Sequence, residues 1–320
     1  MKKILITGGA GFIGSNFIRY FLNRYSDYHV VNLDKLTYAG NKENLKDIEK
    51  DPRYAFIKGD ICDEKTVRDA AKNVCAVINF AAESHVDRSI REPAEFLRTN
   101  IDGVRMLLEA AKELKIPRFI QISTDEVFGS IEKGFFKEED PLNPSSPYAA
   151  SKASADLLCL AYYATYKTPV MITRSSNNFG EYQFPEKVVP LFITNALEDK
   201  KLPLYADGSN RRDWIYVMDN CEAIDCVFQS GRPGQIYNIG AGNEKTNLDL
   251  TRLILKMLEK RADLIEYVKD RPGHDKRYAL DCARIKGLGW KPRHDFHNVL
   301  EKTIQWYEKN EWWWRPLKGS

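Results

Sequence analysis

Lys3-Ile4-Leu5-Ile6-Thr7-Gly8-Gly9-Ala10-Gly11-Phe12-Ile13-Gly14 opens the chain with a short apolar run, spaced glycines and the start of a helical pattern. Lys3 to Thr7 reads as a strand and Phe12 to Tyr25 as a helix. Glycines at 8, 11 and 14 allow a tight turn, close backbone approach to a pyrophosphate and tight helix packing. The amides and positive dipole at a helix start suit phosphates. A glycine trio alone is weak evidence; a strand before, a helix after and an acid at the right distance strengthen it. That acid is Asp34, twenty residues past Gly14 at the end of a second strand. Its carboxylate suits a free ribose 2′-hydroxyl and repels a 2′-phosphate, which favours NAD over NADP, with Lys35 next door opposing that preference.

Moving outward, the strand signal returns at His29–Leu33, Tyr54–Lys58, Ala76–Phe80, Arg118–Ser123 and Val170–Arg174, with helical segments between most of these runs. Apolar runs separated by helices predict an α/β fold with a doubly wound parallel (Rossmann) sheet. Asp60 and Ile61 follow the third strand, where they would cover an adenine edge, and Ala81 and Ala82 follow the fourth, small enough to lie against a cofactor. Ordinary loop geometry is the other reading of these four. Two helices are long: Pro93–Leu114 carries Leu97, Ile101, Val104, Leu107, Leu108, Ala111 and Leu114 on one face, and Tyr148–Tyr166 is almost apolar all round. A helix apolar on several sides needs more than one partner, so a homodimer through 93–114 and 148–166 is expected.

After Arg174 prolines break up the segments and the alternation becomes irregular. This predicts an NAD-binding domain over 1–180, with a return strand near 235–240, and a smaller nucleotide-sugar-binding lobe over 181–320. At 320 residues two lobes are expected. With 48 Lys+Arg against 45 Asp+Glu and no long basic run, neither nucleic acid nor an anionic membrane is indicated. The six cysteines form no C-x-x-C and fall mostly inside segments read as regular elements, which fits reduced cytosolic thiols and no metal. The apolar run before Gly8 is too short for a signal peptide, and no stretch nears the length of a membrane span. A cytoplasmic protein is expected. The tail Glu311-Trp312-Trp313-Trp314-Arg315-Pro316 reads as a packing staple.

Ser123-Thr124-Asp125-Glu126-Val127-Phe128-Gly129 follows the fifth strand. It places a hydroxyl and two adjacent acids at a strand's carboxyl end, where open α/β sheets bind ligands. Taken alone it fits either a polar loop facing water or acids put to use. Tyr148 and Lys152 stand four apart at the start of a helix and so share a face. A tyrosine acts as a base if an ammonium and a nicotinamide cation stabilise its phenolate. Tyr38/Lys42, Tyr54/Lys58 and Tyr163/Lys167 share the spacing, but only Tyr148 opens a helix after a strand ending in a polar hydroxyl, Thr124.

With the glycine turn, Thr124 and Y-x-x-x-K in place, the chain resembles the extended short-chain dehydrogenase/reductases. The Thr-Asp-Glu run narrows the resemblance to the dTDP-glucose 4,6-dehydratase family. Supporting stretches are AAESHVDRS at 81–89, SPYAASKASAD at 146–156, SNNFGEYQFPEK at 176–187, RRDWIYV at 211–217, NIGAGNEKTN at 238–247 and DRPGHDKRY at 270–278. Phe128 stands where the family usually has tyrosine, and Glu181 where it usually has proline.

The resemblance implies a lyase of deoxysugar biosynthesis that converts dTDP-glucose to dTDP-4-keto-6-deoxyglucose and water, with NAD recycled internally. Tyr148 would take the 4-hydroxyl proton as hydride leaves C4, with Lys152 lowering the phenol's pKa and Thr124 bonding O4. Glu126 would then act as base at C5 and Asp125 as acid at the C6 hydroxyl, before hydride returns to C6. The cofactor set is Gly8, Gly11, Phe12, Ile13 and Gly14 in the turn; Asp34, Lys35, Leu36 and Thr37 after the second strand; Asp60 and Ile61; Phe80, Ala81, Ala82 and Glu83; and Thr99, Tyr148, Lys152 and Asn178. On the substrate side stand Ser84, Thr124 and Asn177 for the sugar, then Lys187, Val188, Pro203, Leu204 and Tyr205 toward the nucleoside. Arg212 and Arg271 suit a diphosphate, which arginine grips with two parallel bonds. Asn247, His274, Asp275 and Tyr278 complete the pocket. His29, His294 and His297 read as structural or surface residues. Rival readings are a UDP-glucose 4,6-dehydratase, a nucleotide-sugar epimerase, an NADP-linked reductase, or a non-catalytic NAD-binding regulator.

Overall fold

The computed structural model describes residues 1–319. Its first half runs β1 (Lys2–Thr7), α1 (Phe12–Arg24), β2 (Tyr28–Asp34), β3 (Tyr54–Lys58), α2 (Glu64–Ala70), β4 (Ala76–Asn79), α3 (Val86–Arg91), α4 (Pro93–Leu97), α5 (Val104–Glu113), β5 (Phe119–Thr124), α6 (Pro147–Tyr166) and β6 (Val170–Ser175). The second half runs β7 (Asn177–Phe179), α7 (Val188–Leu197), β8 (Leu202–Tyr205), β9 (Arg211–Tyr216), α8 (Val217–Ser230), β10 (Ile236–Ile239), β11 (Glu244–Thr246), α9 (Asn247–Met257), β12 (Ile265–Val268), α10 (Ala283–Gly287), α11 (Phe296–Lys309) and α12 (Glu311–Trp314).

Seven strands form one parallel sheet in the order β10-β6-β5-β4-β1-β2-β3. Successive side chains of a strand point to opposite faces, and here both faces are covered. Ile4 and Ile6 of β1 join a core with Phe17 and Phe21 of α1, while Leu5 joins another with Val67 of α2, Leu107 and Leu108 of α5 and Cys159 of α6. That is why the strands read as largely apolar runs. A polar row crosses the middle of the sheet. Thr7, Asn79 and Gln121 lie in register on β1, β4 and β5. Thr7 Oγ1 donates to Asn79 Oδ1 at 2.5 Å, and Asn79 Nδ2 donates to Gln121 Oε1 at 2.8 Å.

The chain leaves the sheet after β6 and returns once, β10 pairing in parallel with β6. Helix α8 packs on α1, Phe228 meeting Phe21 edge-on at 5.6 Å. Between and beyond these elements, β11-β9-β7 form a small sheet and β12-β8 a parallel pair. Strand β7 lies before residue 180 yet pairs with β9, so the two lobes interleave.

Three expectations are corrected. The helix expected as one run over 93–114 is α4 and α5 joined by a π-helical turn, Arg98–Gly103. The widened turn brings Asn100, 1% exposed, onto the backbone of Glu83, which its side chain bonds twice. Cys62, Cys75 and Cys282 lie outside helices and strands, leaving three of the six cysteines inside them, because turns at strand ends also bury small apolar groups. In the tail Trp313 and Trp314 are buried, whereas Trp312 is 57% exposed and staples nothing.

Candidate active site

The carboxyl ends of β1, β2, β4, β5 and β6 open onto one cleft, on both sides of the point where the strand order reverses between β1 and β4. Gly8, at φ +69°, needs its missing side chain: a Cβ there would lie 2.4 Å from Ala81 N. A Cβ on Gly14 would lie 2.5 Å from the Gly8 carbonyl oxygen. Helix α1 starts at Gly11 without a side-chain cap, which leaves its first amides to a ligand. Asp34 Oδ2 accepts from Ala10 N at 2.9 Å and Oδ1 from Leu36 N at 2.8 Å, with burial raising its pKa. Lys35 turns away from Asp34 to pair with Asp60 at 3.1 Å, and Arg98 meets the same carboxylate at 2.8 Å. Asp60 ionises at about 2, its burial more than offset by bonds from Cys62 N, Lys35 and Arg98. Asp34 thus faces the cleft without a paired cation among the described residues, a setting that fits NAD and its free 2′-hydroxyl.

The chemical groups come from two elements. At the end of β5, Thr124 caps a short 3₁₀ turn, Asp125–Phe128, accepting from Glu126 N at 3.2 Å. Thr124 Oγ1 donates to Asp125 Oδ1 at 3.2 Å, while Asp125 Oδ2 is buried with no hydrogen-bond partner among the described residues. Phe128 braces the turn from below, stacked on Phe136 at 4.8 Å with the Arg174 guanidinium 4.7 Å from its ring. Opposite, Ser146 caps α6 by accepting from Ala149 N, and Tyr148 N donates to Ser89 Oγ at 3.1 Å. Lys152, one turn on, donates from Nζ to the Ile122 carbonyl at 2.6 Å.

Burial governs the charges. It raises Asp125 well above the usual carboxylate range, and neighbouring Glu126 adds to the rise. Glu126 is raised by burial too, but Arg271, Lys187 and Arg212 favour its anion. Lys152 is lowered to about 8 by burial, with Asp156 opposing. The Tyr148 phenol is raised by burial and by both acids, with the Thr124 bond acting the other way. Burial and, after it, the two carboxylates thus both disfavour the phenolate.

The chain as a whole is similar to known proteins. The model of the GDP-mannose 4,6 dehydratase family matches residues 5–303. The dTDP-glucose 4,6-dehydratase of Streptomyces niveus is 49% identical over 99% of this chain and 96% of its own. The chain belongs to the dTDP-glucose 4,6-dehydratase family. The low-salt glycan biosynthesis protein Agl12 of Haloferax volcanii is 51% identical over 95% of this chain and 98% of its own. The structure of DesIV, a dTDP-glucose 4,6-dehydratase from Streptomyces venezuelae with NAD and TYD bound, superposes with a TM-score of 0.97 at 47% identity, covering 98% of this chain and 99% of that one.

For this dTDP-glucose 4,6-dehydratase family member, the cleft gathers the expected turn glycines with Phe12 and Ile13; Asp34, Lys35 and Thr37; Asp60 and Ile61; Phe80 to Ser84; Thr99; Thr124 to Glu126; Tyr148 and Lys152; and Asn177, Asn178 and Lys187. Leu36 contributes its backbone amide to Asp34 instead of a lining side chain. Lys187 donates to the Ser84 carbonyl at 2.7 Å, and burial lowers its pKa. Outside the cleft wall stand Val188, Pro203, Leu204, Tyr205, Arg212, Asn247, Arg271, His274, Asp275 and Tyr278. Val188 and Asn247 open α7 and α9.

Most of that outer group forms one polar shelf. Arg212 donates to the Asp275 carbonyl at 2.7 Å and covers the Tyr278 ring at 4.3 Å. Asp275 Oδ2 accepts from Ser145 and Tyr278, and His274 Nδ1 lies 2.6 Å from Asp270. Arg271 reaches Asp87 at 3.5 Å, where Tyr205 OH also donates at 3.0 Å. Leu204 departs from expectation: alternation along β8 turns it inward, 1% exposed, against the core.

Reading the sequence missed Glu186, Gln183, Phe184, Ser175 and Ser176, which also line the cleft. Their signal was proximity to Asn177, Asn178 and Lys187 in the stretch 176–187. Asn100, which secures the Glu83 backbone and donates to Ser151 Oγ at 2.8 Å, left none, because its position depends on the π turn.

Proposed function

We propose that this protein dehydrates dTDP-glucose to dTDP-4-keto-6-deoxyglucose. The observation that carries this reading is the Asp125–Glu126 pair, Asp125 buried and Glu126 half-buried, opening onto the same cleft as the glycine turn and Tyr148. Bound NAD would supply the acceptor and later the donor of one hydride, and its positive charge would offset the field that raises the phenol. Tyr148 takes the proton from the 4-hydroxyl, with Thr124 bonding that oxygen and Lys152 favouring the phenolate. The resulting ketone makes the C5 hydrogen acidic. Glu126, whose anion three cations favour, removes it. Asp125, held protonated by burial, donates to the departing C6 hydroxyl, so water leaves and a C5–C6 double bond forms; return of the hydride to C6 and of the proton held by Glu126 to C5 would then complete the product. Arg212, Arg271, His274, Asp275 and Tyr278 form the shelf for the diphosphate and nucleoside.

Incubation with dTDP-glucose and no added cofactor tests the reading. A 4-keto-6-deoxy product establishes both the reaction and retained NAD. Equal turnover of UDP-glucose would make the base recognised uracil as well as thymine, and a C4 epimer without loss of water would replace the dehydratase by an epimerase. No product and no reduction would leave a non-catalytic NAD-binding regulator.

The assembly belongs to the same reading. Leu97 and Leu157 are 46% and 58% exposed on α4 and α6, and Tyr166 is 53% exposed at the end of α6. These outward apolar groups support a homodimer through 93–114 and 148–166. Among the described residues no helix is long and apolar enough to cross a membrane, and the cysteines are free thiols; both support a cytoplasmic enzyme. Residues 1–180 with the return strand would carry NAD, and 181–320 the nucleotide sugar.

A further inference from the structure

The glycine turn is held from behind by the end of the chain. Trp313, 3% exposed, donates from Nε1 to Asn44 Oδ1 at 2.8 Å. Asn44, 1% exposed, passes the contact on: its Nδ2 donates to the Ala10 carbonyl at 2.8 Å. The same carbonyl accepts from Asn41 N at 3.0 Å, and Ala10 N donates to Asp34 at 2.9 Å. Ala10 lies between Gly8 and Gly11, so its peptide groups orient the amides that face a pyrophosphate. The tail also reaches the opposite wall. Tyr307 OH donates to the carbonyl of Gln183, a cleft residue, at 2.5 Å. Trp313 packs edge-on against Tyr182 at 5.8 Å.

Ala10 carries only a methyl group, buried in the core, and so has no polar side chain with which to fix its own carbonyl. The groups that fix its carbonyl are backbone and amide donors on the 41–44 segment, and Asn44 is oriented in turn by the indole. A buried amide held at both ends has one orientation, and removing either partner leaves the other end free to turn.

We propose that Trp313 is a positioning residue for the dinucleotide, acting through Asn44 on the Ala10 turn to keep the cofactor bound between the two halves of the reaction. This rests on the functional reading above, in which one bound NAD serves twice per turnover.

The test is the exchange rate of bound NAD against radiolabelled NAD, measured on the intact protein. Trp313→Phe keeps the ring and loses the donor. Asn44→Asp keeps the acceptor for the indole and loses the donor to Ala10. Each should speed exchange about ten-fold, the size of one lost buried hydrogen bond. Trp314→Phe is the control: its Nε1 donates to the Tyr307 carbonyl at 2.8 Å, it is equally buried, and it has no bond to the turn. It should leave exchange within about two-fold, well below the effect of one lost hydrogen bond on the turn. Equal acceleration in all three variants, or none in Trp313→Phe and Asn44→Asp, overturns the inference. An unaltered protein that holds no NAD overturns the functional reading with it.

Discussion

Lys152 Nζ and the Ile122 carbonyl are joined by a 2.6 Å hydrogen bond, which ties the start of α6 to the strand that ends in Thr124. The acid pair and the tyrosine are thus fixed relative to each other by an amine from one element and a peptide oxygen from the other.

That amine is held against its own preference. Burial lowers it from 10.5 to about 8, so between those values the folded chain binds fewer protons there than the unfolded chain. Stability should rise with pH across that window, and below it the charged amine costs about 3 kcal/mol. Lys152→Met should lose activity yet be more stable than the parent at pH 7 by about 1–3 kcal/mol, the lost bond to Ile122 subtracting part of the gain. Urea unfolding at pH 7 and pH 10 checks this, because the difference must shrink at the higher pH.

In the proposed reaction Asp125 and Glu126 act after the sugar has been oxidised. Asp125→Asn and Glu126→Gln should each slow water loss by about 10²–10⁴ and leave C4 oxidation nearly intact. Mass spectra of quenched reactions distinguish the two steps by the mass of water. Dehydration at the parental rate in both variants would remove these residues from the chemistry.

Arg174 and Asp156 form an ion pair at 2.9 Å with side chains 2% and 0% exposed, beside Phe128. Arg174→Met alone should cost about 3–5 kcal/mol, because it strands a buried carboxylate. Adding Asp156→Leu should recover most of that loss. A double-mutant cycle by thermal unfolding reads the coupling, and strictly additive losses would contradict it.

Asp34 should set the choice of dinucleotide. Asp34→Ser removes the charge that repels a 2′-phosphate, and the preference for NAD over NADP should narrow at least ten-fold, about 1.4 kcal/mol. Titration of both dinucleotides gives the ratio, and an unchanged preference would move discrimination elsewhere in the cleft.

Leu157, 58% exposed on α6, belongs to the proposed helix–helix interface. Leu157→Glu should shift the protein from dimer toward monomer in sedimentation velocity at micromolar concentration. A parent that sediments as a monomer would dismiss the interface outright.

The sheet was readable because strands such as Ala76–Asn79 and Phe119–Thr124 are buried on both faces and leave largely apolar runs, broken by few polar residues such as Gln121. The glycine turn and Asp34 were readable because their spacing follows from the geometry of a strand, a turn and a helix. What depends on three-dimensional closure was not. Asn177–Phe179 and Glu244–Thr246 are three-residue strands with no period to detect. The π turn at 98–103 leaves the apolar pattern of its helix unchanged while redirecting Asn100. The tyrosine–lysine spacing placed both groups on one face, but the lysine's bond to Ile122 depends on how closely β5 approaches α6.

Strand β10 carries a further consequence. Ile236–Ile239 comes from the carboxyl-terminal half yet completes the edge of the parallel sheet beside β6. A fragment ending near residue 180 would expose the backbone donors and acceptors of Val170–Ser175 as a bare edge, prone to pairing with other molecules. The halves are therefore expected to melt together in one transition, and chimaeras that exchange sugar lobes between relatives must leave residues 217–239 with the sheet they complete.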